Sequence, residues 1–274
     1  MAVISKKPFS LTLLVFFTTI FLKLFSRVNS SKALSFSFNE FATEELDLIF
    51  QGDAHLTSLS FDSNVLQLTN TNSTGEPQEN TVGRVLYSAP MRLYVKGAGK
   101  VSHFESNINF VLTKPSSKAA DGLAFFIAPM NSKIPKHSKG GFLGLFNETT
   151  AFNSSTNQIV AIEFDTYNNT WDPSYPHIGI NINSINSSAN VRWDIVEGDV
   201  FHARITYDGL HKNLNVTSFY FESGGDYSVS YMVDLPSVLP EWVRVGITAS
   251  SGDDGVQVHS ITSWDFKSGL ELIE

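Results

Sequence analysis

The stretch Glu163-Phe-Asp165-Thr-Tyr167-Asn-Asn169-Thr-Trp-Asp172-Pro-Ser-Tyr-Pro-His177 decides how this chain folds and what it can hold. It concentrates three carboxylates, two amides and an imidazole in one short segment. Glu163, Asp165, Tyr167 and Asn169 fall at i, i+2, i+4 and i+6. Alternate residues of a strand point to opposite faces, so the first of these share one face. Val160, Ile162 and Phe164 hold the other parity and form an apolar face. Two carboxylates side by side on a strand repel each other unless a cation sits between them.

The ligand types suit two ions. Glu163, Asp165, Asp172 and His177 offer three carboxylates and one nitrogen, a set suited to Mn²⁺ or a similar transition ion. Asp165, Asn169, Asp172 and a backbone carbonyl near Tyr167 offer oxygen alone, which suits Ca²⁺. Asp165 and Asp172 then bridge both ions. Cations clamping the ends of the 167–176 loop would turn metal affinity into local folding free energy. The alternative is a polar, solvated hairpin loop. It leaves unpaired carboxylates beside an apolar strand face, at a cost in free energy.

Outward from this segment, period-two alternation dominates and no long helical period occurs. Phe104, Ser106, Ile108, Phe110 and Leu112 share one parity, against His103, Glu105, Asn107 and Asn109. Phe201, Ala203, Ile205 and Tyr207 repeat the pattern, and Asp208-Gly209 reads as a hairpin turn into Leu214, Val216 and Tyr220. Tyr227, Val229, Tyr231, Val233 and Leu235 alternate again, as do Val243, Val245, Ile247 and Ala249. After the metal segment, His177, Gly179, Asn181 and Asn183 oppose Ile178, Ile180 and Ile182. Many short strands with Gly, Asn, Ser and Pro between them predict an all-β sandwich. Residues 71–82 and 131–140 read as exposed loops.

Glu163 to His177, continued by Ile178-Gly-Ile-Asn-Ile-Asn-Ser184, closely resembles the metal-binding segment of the legume lectins. Further stretches resemble the same family in the same order. They are Ile49-Phe-Gln-Gly-Asp53-Ala54, Ala120-Asp121-Gly-Leu-Ala-Phe-Phe-Ile-Ala-Pro129, Gly140-Gly141-Phe-Leu-Gly-Leu-Phe146, Leu239-Pro-Glu-Trp-Val-Arg-Val-Gly246 and Ser263-Trp-Asp-Phe266. The resemblance spans about residues 34–270. One such motif is weak evidence; their ordered combination is highly specific.

The resemblance implies a jelly-roll β-sandwich of two large antiparallel sheets. It implies Ca²⁺ and Mn²⁺ (or another transition ion) as cofactors, and carbohydrate binding in a shallow depression beside the Ca²⁺. Asp121 would be the acceptor for sugar hydroxyls, after a cis peptide at Ala120–Asp121. Gly141 would offer its N–H, where a side chain would block the sugar. Asn169 would give its oxygen to Ca²⁺ and its NH₂ to the sugar. Tyr167 would stack on the sugar ring and lend its carbonyl to Ca²⁺. Ser187 is placed like the family's serine that hydrogen-bonds a metal-bound water. The loop at 250–258, with Asp253 and Asp254, would help decide which sugar fits. The family implies glycans and glycoproteins as partners, and dimers or tetramers built through flat back sheets.

Composition agrees with a secreted protein. Lys6 and Lys7 precede an apolar run from Leu11 to Leu22 that is too short to span a bilayer, as in a secretory signal peptide cleaved near Ser30. Residues 31–274 would then form one carbohydrate-binding domain, on a route leading outside the cell or to the vacuole. Removing 1–30 leaves 15 basic against 27 acidic residues, a net charge of about −12. That argues against nucleic acid or anionic membranes as partners, and no later segment is apolar enough to span a membrane. There is no cysteine, so stability must come from the core. Sequons occur at Asn72, Asn147, Asn153, Asn168, Asn186 and Asn215. Asn168 lies in the metal loop and Asn186 beside Ser187, so Asn72, Asn147, Asn153 and Asn215 are the candidates for glycosylation.

Two rival readings are weaker. A jelly-roll glycoside hydrolase needs an acid and a second carboxylate straddling the glycosidic bond, whereas the clustered carboxylates here are consumed as ligands. A sugar-blind storage or defence relative would typically lack metal ligands or the site aspartate, and this chain keeps them all.

Overall fold

Apolar and polar residues alternate along this chain because most of its strands cover a core with one face. The computed structural model describes residues 33–42, 44–60, 63–113, 118–253 and 255–273. The expected signal peptide, residues 1–30, lies outside the described residues, as does Asp254. Two antiparallel sheets contain all the described strands. One runs in the order Asp226–Met232, Asn213–Tyr220, Val200–Asp208, Lys100–Thr113, Val258–Leu272, Ser63–Gln67 and His55–Ser60, with Ser35–Phe38 and Tyr94–Val95 paired alongside. The other runs Ala189–Arg192, His177–Ile182, Val160–Asp165, Gly122–Pro129, Trp242–Ser250, Val82–Tyr87 and Leu48–Gly52, with Met91–Arg92 paired to Trp242–Ser250. Neighbours in sequence are often not neighbours in the sheet, as in a jelly roll.

The first sheet keeps the predicted alternation. Phe104, Ser106, Ile108, Phe110 and Leu112 are buried, and their opposite-parity neighbours are not. The hairpin through Asp208-Gly209 forms, with Ile205 opposite Val216. One strand is shorter than predicted. It ends at Met232, and Leu235–Val238 forms a helical turn with Pro236 in its first turn, where proline's missing N–H is harmless. Loop 71–82 is also less exposed than predicted at its end: Thr81 and Val82 are buried, and Val82 opens a strand.

The second sheet departs more. Every residue of Val160–Asp165 is buried, as is nearly all of Gly122–Pro129. Its inner face packs into the inter-sheet core through Phe164, Ile162, Ile178 and Ile180. Its outer face is covered by the 142–151 segment, whose Leu143, Leu145, Phe146 and Ala151 pack against Phe126, Ala128 and Ala161. Two-sided burial explains why Phe125 and Phe126 stand side by side, both fully buried. It also means that polar side chains on this face sit in the protein interior.

Phe110 is completely buried where the sheets meet, with ring centroids 5.1 Å from Phe164 and 5.3 Å from Phe201. Phe110→Ala is expected to cost about 3–5 kcal/mol of stability. Urea unfolding of the metal-loaded protein would measure it, and a loss below about 1 kcal/mol would contradict this account of the core.

Candidate functional site

Strand pairing assembles the site. Val160–Asp165 pairs on one side with His177–Ile182, so that Asp165 faces His177 and Glu163 faces Gly179. On the other side it pairs with Gly122–Pro129, so that Asp165 faces Gly122. Glu163, Asp165 and His177 are about 1–2 % exposed, and each offers one ligand atom within 4.8 Å of the others. His177 Nε2 lies 3.1 Å from Glu163 Oε1 and 3.3 Å from Ser187 Oγ. Ser187 Oγ donates to Glu163 Oε1, and Asn181 Nδ2 donates to Glu163 Oε2 at 2.7 Å. Gly179 leaves the room for this: a Cβ there would lie 2.2 Å from Ser187 Oγ and 2.5 Å from Glu163 Oε1.

Asp172 stands outside the three-residue group but within its electrostatic reach. Its Oδ2 accepts the Asn169 N–H at 2.9 Å, and its own N–H donates to the Asn169 carbonyl at 3.1 Å. Burial, with the charges of Glu163, Asp172 and Asp121 adding to it, holds the Asp165 carboxyl well above the usual carboxylate range. Burial likewise pushes Asp172 up to about 6, with Glu163 contributing. Opposite charge would reverse these shifts. Two further atoms are open to a cation or to a group around it. Asn169 Oδ1 and His177 Nδ1 are buried with no hydrogen-bond partner among the described residues. The donor set, with carboxylate and amide oxygens and one imidazole, fits a hard or borderline divalent ion.

Beside this group lies a hollow of about 750 Å³ lined by Asp121, Gly141, Asn169 and Asp253, among others. Asp121 is 4 % exposed and follows a cis peptide bond. Its backbone N–H donates to Ser250 O, and its carbonyl accepts the Thr166 N–H. Gly122, next in chain, has φ 129°, and a Cβ there would strike Phe164 O at 2.3 Å. Gly141 is fixed by the Asn169 amide: a Cβ would lie 2.1 Å from Asn169 Oδ1. Asp253 reaches the hollow, but its carboxylate already accepts from Asn80 Nδ2.

Tyr167 is not among the residues lining this hollow. Its N–H donates to Asp165 Oδ1 at 2.8 Å, while its ring lies beneath Lys118 Nζ, 4.1 Å from the centroid. It lines a second hollow with Tyr175 and Glu197. The aromatic wall of the first hollow is Phe142 and Trp171, stacked with centroids 5.3 Å apart. Sequence reasoning missed this wall, although Trp171 lies inside the decisive segment. It also assigned no role to Asn181 and Gly179, whose parity with His177 was legible. Asn80 lies far away in sequence and carries no local signal.

The candidate sequons differ in setting. Asn72, Asn147 and Asn153 sit in turns where each Oδ1 accepts from its own sequon's hydroxyl residue, Thr74, Thr149 and Ser155. Asn215 lies mid-strand, half-exposed, between Thr206 and Ser230. No helix among the described residues is long and apolar enough to cross a membrane.

Comparison with known proteins agrees with this geometry. The profile of the legume lectin domain matches residues 33–272. Agglutinin-2 of Cladrastis kentukea is 49 % identical over 270 residues, covering 97 % of this chain and 91 % of that protein. A mannose/glucose-specific lectin of Centrolobium tomentosum is 49 % identical over 244 residues, covering 88 % and 97 %. The metal-free form of lectin I-B4 from Griffonia simplicifolia superposes with a TM-score of 0.81 at 44 % identity, covering 86 % of this chain and 99 % of that one. On the fold, the ordered motifs and these likenesses together, the chain belongs to the legume lectin family.

Proposed function

We propose that this protein is a lectin that binds hexopyranose units of glycans and performs no chemistry on them. One observation carries the reading: Asp121, Gly141 and Asn169 line a single hollow, and the strand that bears Asp121's neighbour Gly122 pairs with the strand of the metal-ligand group. Asp121 accepts from two sugar hydroxyls, the Gly141 N–H and Asn169 Nδ2 donate to them, and Phe142 and Trp171 meet an apolar C–H face. The mannose/glucose-specific relative supports sugar as the ligand class.

The metal group comprises Ca²⁺ and Mn²⁺. Glu163, Asp165, Asp172 and His177 hold the transition ion, with Ser187 oriented through Glu163. Asp165, Asn169, Asp172 and the Tyr167 carbonyl hold Ca²⁺. When bound, the ions would supply positive charge to the buried carboxylates, and Asn169 would give its oxygen to Ca²⁺ and its NH₂ to the sugar. A monosaccharide bound in an open hollow is held weakly, and several sites per homodimer or homotetramer multiply affinity. The protein follows the secretory route to the cell exterior or the vacuole.

Asp121→Asn is expected to weaken glycan binding about 10- to 100-fold while both ions stay bound. A glycan array paired with elemental analysis checks this, and unchanged binding would sink the site assignment. Asp165→Ala should remove both ions and glycan binding together; if either ion stayed at full occupancy, the bridging assignment would be wrong.

The raised carboxylates also set a pH dependence for the chelated protein. A carboxylate whose folded pKa exceeds its unfolded value stabilises the fold below the unfolded value, and that contribution is lost as pH rises through the folded one. For Asp172 the window runs from 3.8 to about 6. Bound ions cancel the loss. The gap in melting temperature between metal-loaded and chelated protein should therefore be wider at pH 7.5 than at pH 5. Calorimetry at both pH values tests this, and an equal gap would remove these carboxylates from the ligand set.

A further inference from the structure

The outer face of the second sheet is covered unevenly. The 142–151 segment packs over Phe126, Ala128 and Ala161. Nearer the sheet edge a separate cleft of about 390 Å³ opens beside residues 130–133. Period two sets its floor. Ile49 and Gln51 of the edge strand Leu48–Gly52 lie opposite Leu86 and Arg84 of Val82–Tyr87. Arg244 holds the same parity on Trp242–Ser250, where Gly246 lies opposite Leu86. Ser132 and Lys133 belong to the rim, and no carboxylate lines the cleft.

Two cations, Lys133 and Arg244, line this cleft, and a third touches its rim. Arg84 is fully buried, and burial lowers its guanidinium to about 9. Its Nη2 donates to Ser132 Oγ at 3.0 Å and its Nη1 to the Gly144 carbonyl at 3.4 Å, while its guanidinium carbon lies 4.2 Å from the Phe126 ring centroid. All these partners are neutral, and a buried charge among neutral partners alone is costly. None of the three cations forms an ion pair among the described residues. Arg244 uses Nε and Nη1 on the carbonyls of Ser88 and Met130, which leaves Nη2. Ser132 Oγ accepts from Arg84, so its own hydroxyl proton remains to donate.

One group in the cleft has the opposite need. Gln51 Nε2 donates to the Ser132 carbonyl at 3.2 Å, but its Oε1 is buried with no hydrogen-bond partner among the described residues. Directly opposite in the sheet stands Arg84, whose Nε is likewise buried without a partner there. A ligand that satisfies this cleft accepts from several cationic donors and gives one hydrogen bond back. Sulfate only accepts. Hydrogen phosphate accepts through its charged oxygens and donates through its P–OH.

We propose that this cleft binds a phosphate group, as free hydrogen phosphate or as a small monoester whose own hydroxyl meets Gln51. The site stands apart from the sugar-binding reading, since none of the residues lining it lines the first hollow.

The test is isothermal titration of the metal-loaded protein, freed of excess ions, with inorganic phosphate, glycerol phosphate and sulfate at an ionic strength held constant with chloride. Phosphate should bind saturably at one site per chain, and sulfate about three- to tenfold more weakly for want of the hydrogen bond to Gln51. Glycerol phosphate binding tighter than inorganic phosphate identifies a monoester as the ligand, and weaker binding identifies the free ion. Lys133→Gln should weaken phosphate about two- to fivefold, and Lys133→Glu should abolish its binding. Gln51→Glu, which puts a carboxylate opposite Arg84, should abolish it too. Lys133 is exposed and makes no hydrogen bond or ion pair among the described residues, so its variants should keep the wild-type melting temperature and glycan binding. No saturable phosphate binding, binding unmoved by Lys133→Glu, or sulfate binding as tightly as phosphate overturns the proposal.

Discussion

Everything distinctive about this site follows from burying carboxylates beside one another. Glu163 and Asp165 are about 1–2 % exposed, and Asp121 is 4 % exposed close by. Moving one ionised carboxylate out of water is costly, and like charges in a medium of reduced permittivity make the cost steeper. Ser187 and Asn181 hydrogen-bond Glu163, but neither carries a charge. Hydrogen bonds alone do not neutralise such a group. A cation does, and the cluster becomes a stabilising element once it is bound. Asn169, whose buried Oδ1 has no hydrogen-bond partner among the described residues, and the turn closed by Asp172 then acquire fixed positions.

The scaffold gives that cluster a rigid surround. In most two-sheet sandwiches an antiparallel sheet shows one face to water. Here the sheet bearing the ligands is covered on both faces, by the inter-sheet core and by the 142–151 segment. That second layer packs on Ala161, which shares the parity of Glu163 and Asp165. It also brings Gly141 against the Asn169 amide at a distance no side chain tolerates. The group of Glu163, Asp165 and His177 therefore sits on paired strands, while residues lining the hollow come from loops anchored directly beside them. Precision and access are divided between the two.

Much of this was legible in the sequence because strand parity is a strong signal. The faces of Lys100–Thr113 and Val200–Asp208 follow from period two alone, and the grouping of Glu163, Asp165 and His177 from parity together with their donor types. What was not legible depended on contacts between distant segments. Asn80 meets Asp253 across 173 positions, and no local pattern announces that. The strand predicted to run to Leu235 stops at Met232, where Pro236 and the following turn override an alternation that continues in sequence. The 131–140 loop was legible as polar and exposed. Its place on the wall of the hollow depends on the buried Ser138 and its bond to Gly144.

The aromatic residues around the site are held in different ways. The Tyr167 backbone is committed to the metal segment through Asp165, yet its ring lies under the exposed Lys118 ammonium, facing a separate hollow. An exposed cation–π contact is worth only about 0.5–1 kcal/mol, so Lys118 adds little to holding the ring there. Phe142 and Trp171 stack on each other, and Phe152 packs its edge against Trp171. Moving that wall would break several contacts at once. The two aromatic elements thus differ in packing: a wall of mutually stacked rings that gives the first hollow its shape, and a ring under one exposed ammonium that lines the second.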